Sequence, residues 1–411
     1  MHRADLTRAE FQELLAFPAA HAQAGYHTPP EGVRFLFEAG LPDPELFPID
    51  DLVRLSEKVL REEFAEALQY GGARDDGIAA GYIGLRDVLA ERTRSATGRD
   101  VNRHNVMVTC GAAQALALMF EAFVDPGDVV AIEAPTWNSA LAMCARHGAE
   151  TIALPIDDDG ASLDVLEAHL RRLATEGRRL KFVYTIATFN TPTGVCLSLD
   201  RRRRLIELAR QWRFVIIEDN VYEPLRYDGV PIPNMFSLDD TGLVVKLDSF
   251  SKVVAPGLRL GWVTADPDVI HALSSVRGDL GVGQWVARTM TRYLEEGLLE
   301  PHVAEMNERY RAKREVAERA LHEHCDPWVH WRTPEGGFFL WVGIDDTVDA
   351  AQVMQRALAD GVLCRPGERF FGDSDSGRQY LRLAFPSMPF DGLEEGIAIL
   401  GKAIHASPRV M

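Results

Sequence analysis

The 411-residue sequence is short of positive charge and has no cysteine pattern. It carries 44 Lys and Arg against 61 Asp and Glu, a formal net charge of −17. An acidic excess of this size repels phosphate backbones and anionic lipid surfaces, so neither nucleic acid nor a membrane is expected as a partner. The five cysteines (Cys110, Cys144, Cys196, Cys325 and Cys364) are odd in number and scattered, and none forms a C-x-x-C pair. They read as small buried hydrophobes in a reducing cytoplasm, not as a disulfide frame or a zinc site. The 12 histidines show no metal-binding spacing. No run of ~18 apolar residues is present, so no membrane-spanning helix is expected. The first residues mix charges and lack an apolar stretch, so no signal peptide is expected and the location is taken as cytoplasmic. There is no internal repeat and no low-complexity linker.

What is present is a globular composition, 46% hydrophobic and 26% charged. From Asn105 to about Ala265, short β-branched runs alternate with amphipathic stretches. Val106–Thr109, Val129–Ile132, Thr151–Leu154, Lys181–Thr185, Phe214–Glu218 and Leu243–Leu247 read as strands. Ala113–Ala122, Trp137–Arg146, Leu163–Leu173 and Asp200–Gln211 read as helices between them. This pattern predicts an α/β fold with a mostly parallel sheet covered on both faces, binding its ligand at the carboxyl ends of the strands. The last third reads as a smaller α+β domain. It has a long helix near Pro301–His322, strands near Trp328–Trp331, Phe338–Val342, Val362–Arg365 and Tyr380–Ala384, and helices near Ala350–Ala359 and Gly392–Ile404. The first ~60 residues are Pro-rich and read as irregular, wrapping onto another part of the molecule. The four arginines Arg201–Arg204 read as a solvated helix face. The Gly71–Gly77 stretch reads as a surface loop that could also line an entrance.

Three segments carry chemistry. In Thr109-Cys-Gly111-Ala112-Ala113-Gln114, a strand enters a small-residue turn and then a helix, and backbone N–H groups at a helix start favour an anion. In Glu218-Asp219-Asn220-Val-Tyr222, a buried strand ends in a carboxylate suited to a cationic ring nitrogen, with a phenol three residues on. In Ser249-Phe-Ser251-Lys252-Val-Val-Ala-Pro-Gly257-Leu-Arg259-Leu-Gly261, a lysine lies between hydroxyls and an arginine. A desolvated lysine near another cation has a lowered pKa and can form a Schiff base. The hydroxyls and the Arg259 fork suit a phosphate.

These three segments, in this order and spacing, resemble fold-type I pyridoxal-phosphate (PLP) enzymes. More narrowly they resemble the class I/II aminotransferases, near the branch of 2-aminoadipate and MocR-like aminotransferases. Gly40-Leu-Pro-Asp-Pro, Ala67-Leu-Gln-Tyr70-Gly71, Asp125-Pro-Gly-Asp128, Pro192-Thr-Gly194, Pro334-Glu-Gly-Gly337 and Leu381-Arg382-Leu383 extend the resemblance over roughly residues 30–405. It implies a large domain (61–290) that binds PLP, a small C-terminal domain (291–411), and an N-terminal segment (1–60) packed with the small domain. It implies that Lys252 attaches the cofactor and moves the substrate Cα proton, that Asp219 keeps the ring nitrogen protonated, and that Tyr222 bonds the ring oxygen. Ala112, Ala113, Ser249, Ser251 and Arg259 would bind the phosphate, and Trp137 would stack on the ring. Tyr70 would reach the phosphate of a neighbouring subunit, which implies a homodimer with shared sites. Arg382 would clamp the substrate carboxylate, with Gly40 and Thr191 also at the substrate.

Two positions depart from the family pattern. Thr191 stands where the family has the Asn of Asn-Pro-Thr-Gly, and it is shorter. Asn190 lies one residue early, so its side chain should point elsewhere. Arg365 stands where an apolar residue is usual, either as a second anion contact or as an exposed arginine. The resemblance implies an aminotransferase exchanging an amino group between an amino acid and a 2-keto acid. Thr191 keeps a second reading open: a decarboxylating oxidative deaminase, a C–S β-lyase or a cyclase on the same fold. A regulator fused to a DNA-binding head is disfavoured by charge and by the short stretch before the match. Substrate choice is expected in the N-terminal segment, the Arg74–Gly77 loop and the region near Trp285.

Overall fold

The β-branched runs from Val106 onward form one eight-stranded sheet at the centre of the protein, seen in a computed structural model that describes residues 11, 13–20, 28–71, 78–373 and 375–407. After a short β1 (Phe35–Leu36), the strands of this sheet in chain order are β2 (Val106–Thr109), β3 (Val129–Ala134), β4 (Glu150–Asp157), β5 (Gly160–Ala161), β6 (Leu180–Thr185), β7 (Val215–Asp219), β8 (Val244–Ser249) and β9 (Gly261–Thr264). Their spatial order is β2-β9-β8-β7-β6-β3-β4-β5. The pairings from β4 through β3, β6 and β7 to β8 are parallel. Every residue of β2 and β8 is buried, which requires cover on both faces of the sheet.

The sequence reading misses β9, which lies antiparallel between β2 and β8. Its Gly and Thr weaken the apolar pattern by which a buried strand is recognised. The strand has a structural effect at its first residue, because Gly261 is the register partner of both Thr109 and Ser249. The ends of β2 and β8 are thereby brought to one place.

The last third builds a four-stranded sheet of β10 (Val329–His330), β11 (Phe339–Ile344), β13 (Arg365–Pro366) and β14 (Tyr380–Ala384), in the order β10-β11-β14-β13. Helix Leu299–Cys325 packs against helix Phe390–Ala406 beside it. The single strand expected over Val362–Arg365 is two. β12 (Val362–Leu363) pairs with β1, whereas Arg365 turns away to pair with Arg382 on β14. Phe37 then bonds both sides, its N–H to Leu363 O (2.9 Å) and its carbonyl from Ala384 N–H (2.9 Å). This stitches Glu38–Gly40 over the carboxyl ends of the large sheet. The first 60 residues are therefore not irregular throughout: helix Ile49–Glu62 follows and packs on helix Gln284–Glu295.

The arginine run also corrects the sequence reading. Arg201 and Arg204 form ion pairs at the surface, with Asp157 (2.6 Å) and Asp164 (2.8 Å). Arg202, on the opposite side of helix Leu199–Trp212, is fully buried. It donates to Leu197 O (2.9 Å), Ala187 O (2.6 Å), Thr188 Oγ1 (2.8 Å) and Pro233 O (3.1 Å), and lies 3.8 Å from Glu218. One position in a polar run points inward because a helix has two sides.

Candidate active site

The carboxyl ends of β2, β6, β7 and β8 open into a cavity of about 420 Å³, within the ~300–1,000 Å³ range of small-ligand sites. A larger hollow of about 740 Å³ lies near Asp87, Arg103 and Leu294. It is walled by solvent-facing ion pairs such as Arg103–Asp87 (2.8 Å). The smaller cavity holds the chemistry. Lys252, Asp219, Tyr222, Ala112, Ala113, Trp137, Thr191, Ser249, Ser251, Arg259, Arg382 and Gly40 all line it. Tyr70 does not. It is 72% exposed and outside the cavity of its own chain. Trp285 lies outside it too, in a surface hollow with Ile49 and Val53. The Arg74–Gly77 loop falls outside the described residues.

At one end the cavity presents donors. Gly111 (φ +75°) caps helix Ala112–Phe123, and the Ala112 and Ala113 N–H groups at its start have no intrahelical carbonyl to bond. Ser249 Oγ and Ser251 Oγ are 3.0 Å apart. Arg259 bridges two loops, donating to Cys110 O (3.1 Å) and Pro256 O (3.2 Å). The loops come this close only because Gly261 has no side chain. A Cβ there would lie 2.7 Å from Asp248 O and 2.8 Å from the Gly111 backbone.

In the middle stands Lys252, its Nζ donating to Gly40 O at 2.6 Å. Burial, with the cations Arg382 and Arg259, lowers its pKa to about 8 against the opposing charge of Asp219. Asp219 is buried at the end of β7 and accepts from Tyr184 Oη at 2.8 Å. Burial pushes its carboxyl up to about 6 against that bond. A cation placed beside it would reverse the shift. Tyr222 packs edge-on to Phe338 and Phe339, with centroids 5.5 and 5.7 Å away.

At the other end is Arg382, buried, with its guanidinium 4.1 Å from the Phe339 ring centroid and donating to Glu38 O. Thr191 is buried in the wall, and its Oγ1 has no hydrogen-bond partner among the described residues. Asn190 does point away from the cavity lining, as expected one residue out of step. Its Nδ2 donates to Glu133 Oε2 at 2.7 Å. Arg365 is neither exposed nor free, for its Nη1 pairs with Glu38 Oε1 at 2.6 Å.

Three contributors escape sequence reading. Tyr184 and Glu133 sit within apolar strand patterns. Glu133 is fully buried and accepts from Thr185 Oγ1 (2.5 Å), Ile186 N–H (2.9 Å) and Asn190. Glu38 lies in the Pro-rich stretch, where no periodicity marks it. A carboxylate inside a strand, as at Glu133, is itself the signal, because such groups persist in cores only when bonded.

The residues fit PLP. Anion donors stand at one end, an amine of lowered pKa in the middle, a buried carboxylate beyond it, and an unsatisfied hydroxyl in the wall. The fold and this cavity define a fold-type I PLP-dependent enzyme. The chain belongs to the class I and II aminotransferases, whose family model matches residues 55–400. It is 38% identical over 367 residues to aromatic-amino-acid aminotransferase 1 of Thermococcus litoralis, covering 89% of this chain and 86% of that protein. Among solved structures it is similar to a multiple substrate aminotransferase from Thermococcus profundus. The TM-score is 0.88 at 34% identity, over 96% of this chain and 98% of that one. It is also similar to an alpha-aminoadipate aminotransferase from Thermus thermophilus complexed with N-(5'-phosphopyridoxyl)-L-leucine. There the TM-score is 0.86 at 30% identity, over 96% and 98% of the two chains. The protein is a PLP-dependent aminotransferase that acts on amino acids.

Proposed function

We propose that the enzyme transfers the amino group of an α-amino acid with a large uncharged side chain to a 2-keto acid. The observation that carries this reading is the placing of Lys252 in the cavity at the strand ends with a buried carboxylate and two arginines, where its pKa is lowered to about 8. The chemistry supplied by the bound cofactor is electron withdrawal from the substrate Cα. The chain's own residues do the rest. Lys252 would attach the cofactor and then carry the proton from the substrate Cα to the cofactor's C4′. Asp219, oriented by Tyr184, holds a proton at the ring nitrogen. The Tyr222 hydroxyl would donate to the ring oxygen, and the Thr191 hydroxyl would offer it a second donor. The Ala112 and Ala113 N–H groups, Ser249, Ser251 and Arg259 hold the phosphate, and Trp137 supplies a flat face for the ring. Arg382 clamps the α-carboxylate with its planar fork, and Gly40 closes the site over the substrate. The uncharged side chain is supported by the apolar wall of Leu36, Leu41, Ile186, Val221 and Phe339, and by the aromatic substrate in the name of the Thermococcus litoralis relative.

The reading includes a homodimer. Ile49, Val53, Phe64, Leu68 and Tyr70 are more than half exposed, an apolar face suited to a second copy. Tyr70 would then reach the phosphate end of the neighbouring site. The N-terminal segment and the last third would close over the large domain. The boundaries at 60/61 and 290/291 fall within helices Ile49–Glu62 and Gln284–Glu295, so the division is better placed in the adjoining turns. Five unpaired cysteines support a cytoplasmic setting. No helix among the described residues is long and apolar enough to cross a membrane.

The test is a single turnover without a keto acid. The PLP-loaded enzyme is mixed in turn with phenylalanine, tyrosine, leucine, methionine and glutamate. Stoichiometric conversion of the cofactor to its aminated form, with one keto acid per site, is expected. Repeated turnover releasing CO2 or a thiol would instead show a lyase or a decarboxylase.

A further inference from the structure

Among the described residues, four cationic side chains line the cavity: Lys252, Arg259, Arg382 and Arg365. The reading above gives work to the first three. Arg365 has none, although it stands beside the substrate grip. It is the register partner of Arg382 across β13 and β14, so the two side chains leave the sheet on the same face with Cα atoms ~5 Å apart. Two guanidinium groups so placed make a natural clamp for a ligand with two carboxylates. In this protein that arrangement is already occupied from within. Glu38 sets its carboxylate on Arg365 (2.6 Å), while its own backbone carbonyl accepts from Arg382. Both members of the ion pair are about four-fifths buried, at 18% and 22% side-chain exposure. The pair also separates the main cavity from a second hollow of about 260 Å³ whose wall includes Met354, Leu358 and Leu363. One donor of Arg365, Nε, is buried without a hydrogen-bond partner among the described residues. The guanidinium thus has bonding capacity beyond what Glu38 uses.

We propose that Glu38 acts as a built-in carboxylate that occupies the Arg365 position and makes the site select monocarboxylic amino acids over dicarboxylic ones. This inference rests on the assignment of Arg382 to the substrate α-carboxylate. With Glu38 in place the Arg365 charge is compensated, and a second substrate carboxylate meets both an occupied arginine and a like charge. The carboxylate of Glu38, not the arginine, is therefore the residue that sets the preference. Backbone hydrogen bonds on both sides of Phe37 fix its position, so Glu38 does not leave without bending the segment.

The test measures binding of unreactive acids, so it does not depend on which reaction the enzyme catalyses. Dissociation constants of glutarate and of 3-phenylpropionate are measured by calorimetry on PLP-loaded wild type, Glu38→Gln, Arg365→Met and the double variant. Wild type is expected to bind 3-phenylpropionate more tightly than glutarate. Glu38→Gln should tighten glutarate about tenfold and leave 3-phenylpropionate within about twofold, since only the second carboxylate gains a free partner. The double variant should lose that gain. Arg365→Met should weaken both acids, because it leaves the Glu38 charge uncompensated beside Arg382. Tighter glutarate binding by the wild type, or an unchanged ratio in a folded Glu38→Gln enzyme, overturns the proposal. Should Glu38→Gln fail to fold, the Arg365→Met arm decides: tighter binding of both acids there would equally overturn it. Loss of binding of both acids in Arg382→Met is the separate check on the underlying assignment.

Discussion

Glu218 and Asp219 are neighbours on β7, yet they serve opposite sides of the sheet. Alternation along a strand sends one carboxylate into the scaffold and the next toward the cavity. Both are fully buried, and burial raises both, Glu218 to about 7 and Asp219 to about 6. Their partners differ. Glu218 accepts the N–H groups of Met235 (2.8 Å) and Phe236 (3.0 Å), with Arg202 at 3.8 Å. Its bonds tie helix Leu199–Trp212 and the 235–238 turn to the sheet. Asp219 accepts from the Tyr184 hydroxyl (2.8 Å) and, more weakly, from Val221 N–H (3.5 Å), and it lines the cavity with Lys252. The scaffold side is saturated within the chain, whereas the cavity side is left to be completed by a ligand. Two buried carboxylates thus become, one residue apart, a brace and a binding site.

The sharpest test of this contrast lies on the cavity side. Lys252→Ala should abolish covalent cofactor attachment and lower turnover by ~10³–10⁶-fold while the protein stays folded. Cofactor still trapped by borohydride on a lysine of this variant would show that the amine is misassigned. Asp219→Asn should lower kcat/KM by ~10²–10⁴-fold with little change in the melting temperature of the apoenzyme. On the scaffold side the signs exchange. Arg202→Met leaves Glu218 buried without its cation and should cost ~3–5 kcal/mol of stability, read from denaturant unfolding, with kcat per folded molecule nearly intact. Equal losses of activity and stability in both variants would erase the distinction.

A subtler difference appears in pH dependence. A carboxyl whose folded pKa is raised contributes stability that is fully present below its unfolded pKa and lost as pH rises through the folded value. For Glu218 that window runs from 4.5 to about 7, and for Asp219 from 3.8 to about 6. Melting temperatures of the apoenzyme should therefore fall across both windows. Glu218→Gln should flatten the upper part. PLP should flatten the Asp219 part and leave the Glu218 part, because the ligand adds a cation only on the cavity side. Identical slopes with and without PLP would contradict the assignment of Asp219. The smallest effect is expected from Tyr184→Phe, which removes one bond to Asp219 and should change kcat severalfold, with stability lower by ~1 kcal/mol.

The cavity side was largely legible in the sequence and the scaffold side was not. Lys252, Asp219 and Arg259 stand out because a charge beside an apolar strand needs a reason. The parallel core followed from runs of Val and Ile between amphipathic stretches. Arg202 was hidden because a run of four arginines does not say which one turns inward. Tyr184 and Glu133 were hidden because a single polar group within an apolar strand does not name its partner. β9 did not register because Gly261 and Thr264 leave only two apolar residues, Trp262 and Val263, between them. Glu38 was invisible for another reason: its role depends on Arg365, more than 300 residues away, through a parallel β1–β12 pairing that no local pattern announces.

Gly261 has a consequence beyond packing. It is the register partner of Thr109 and of Ser249, so the spacing between the two donor-bearing loops is gauged by the thickness of a bare backbone. Any side chain there would act as a wedge between them. The groups proposed to choose the substrate, Glu38, Arg365 and Arg382, hang instead from the N-terminal segment and the smaller sheet. Mutation can therefore remodel the choice of amino acid while that gauge stays untouched. A chain built in this way can exchange one substrate for another without having to reinvent its grip on the cofactor.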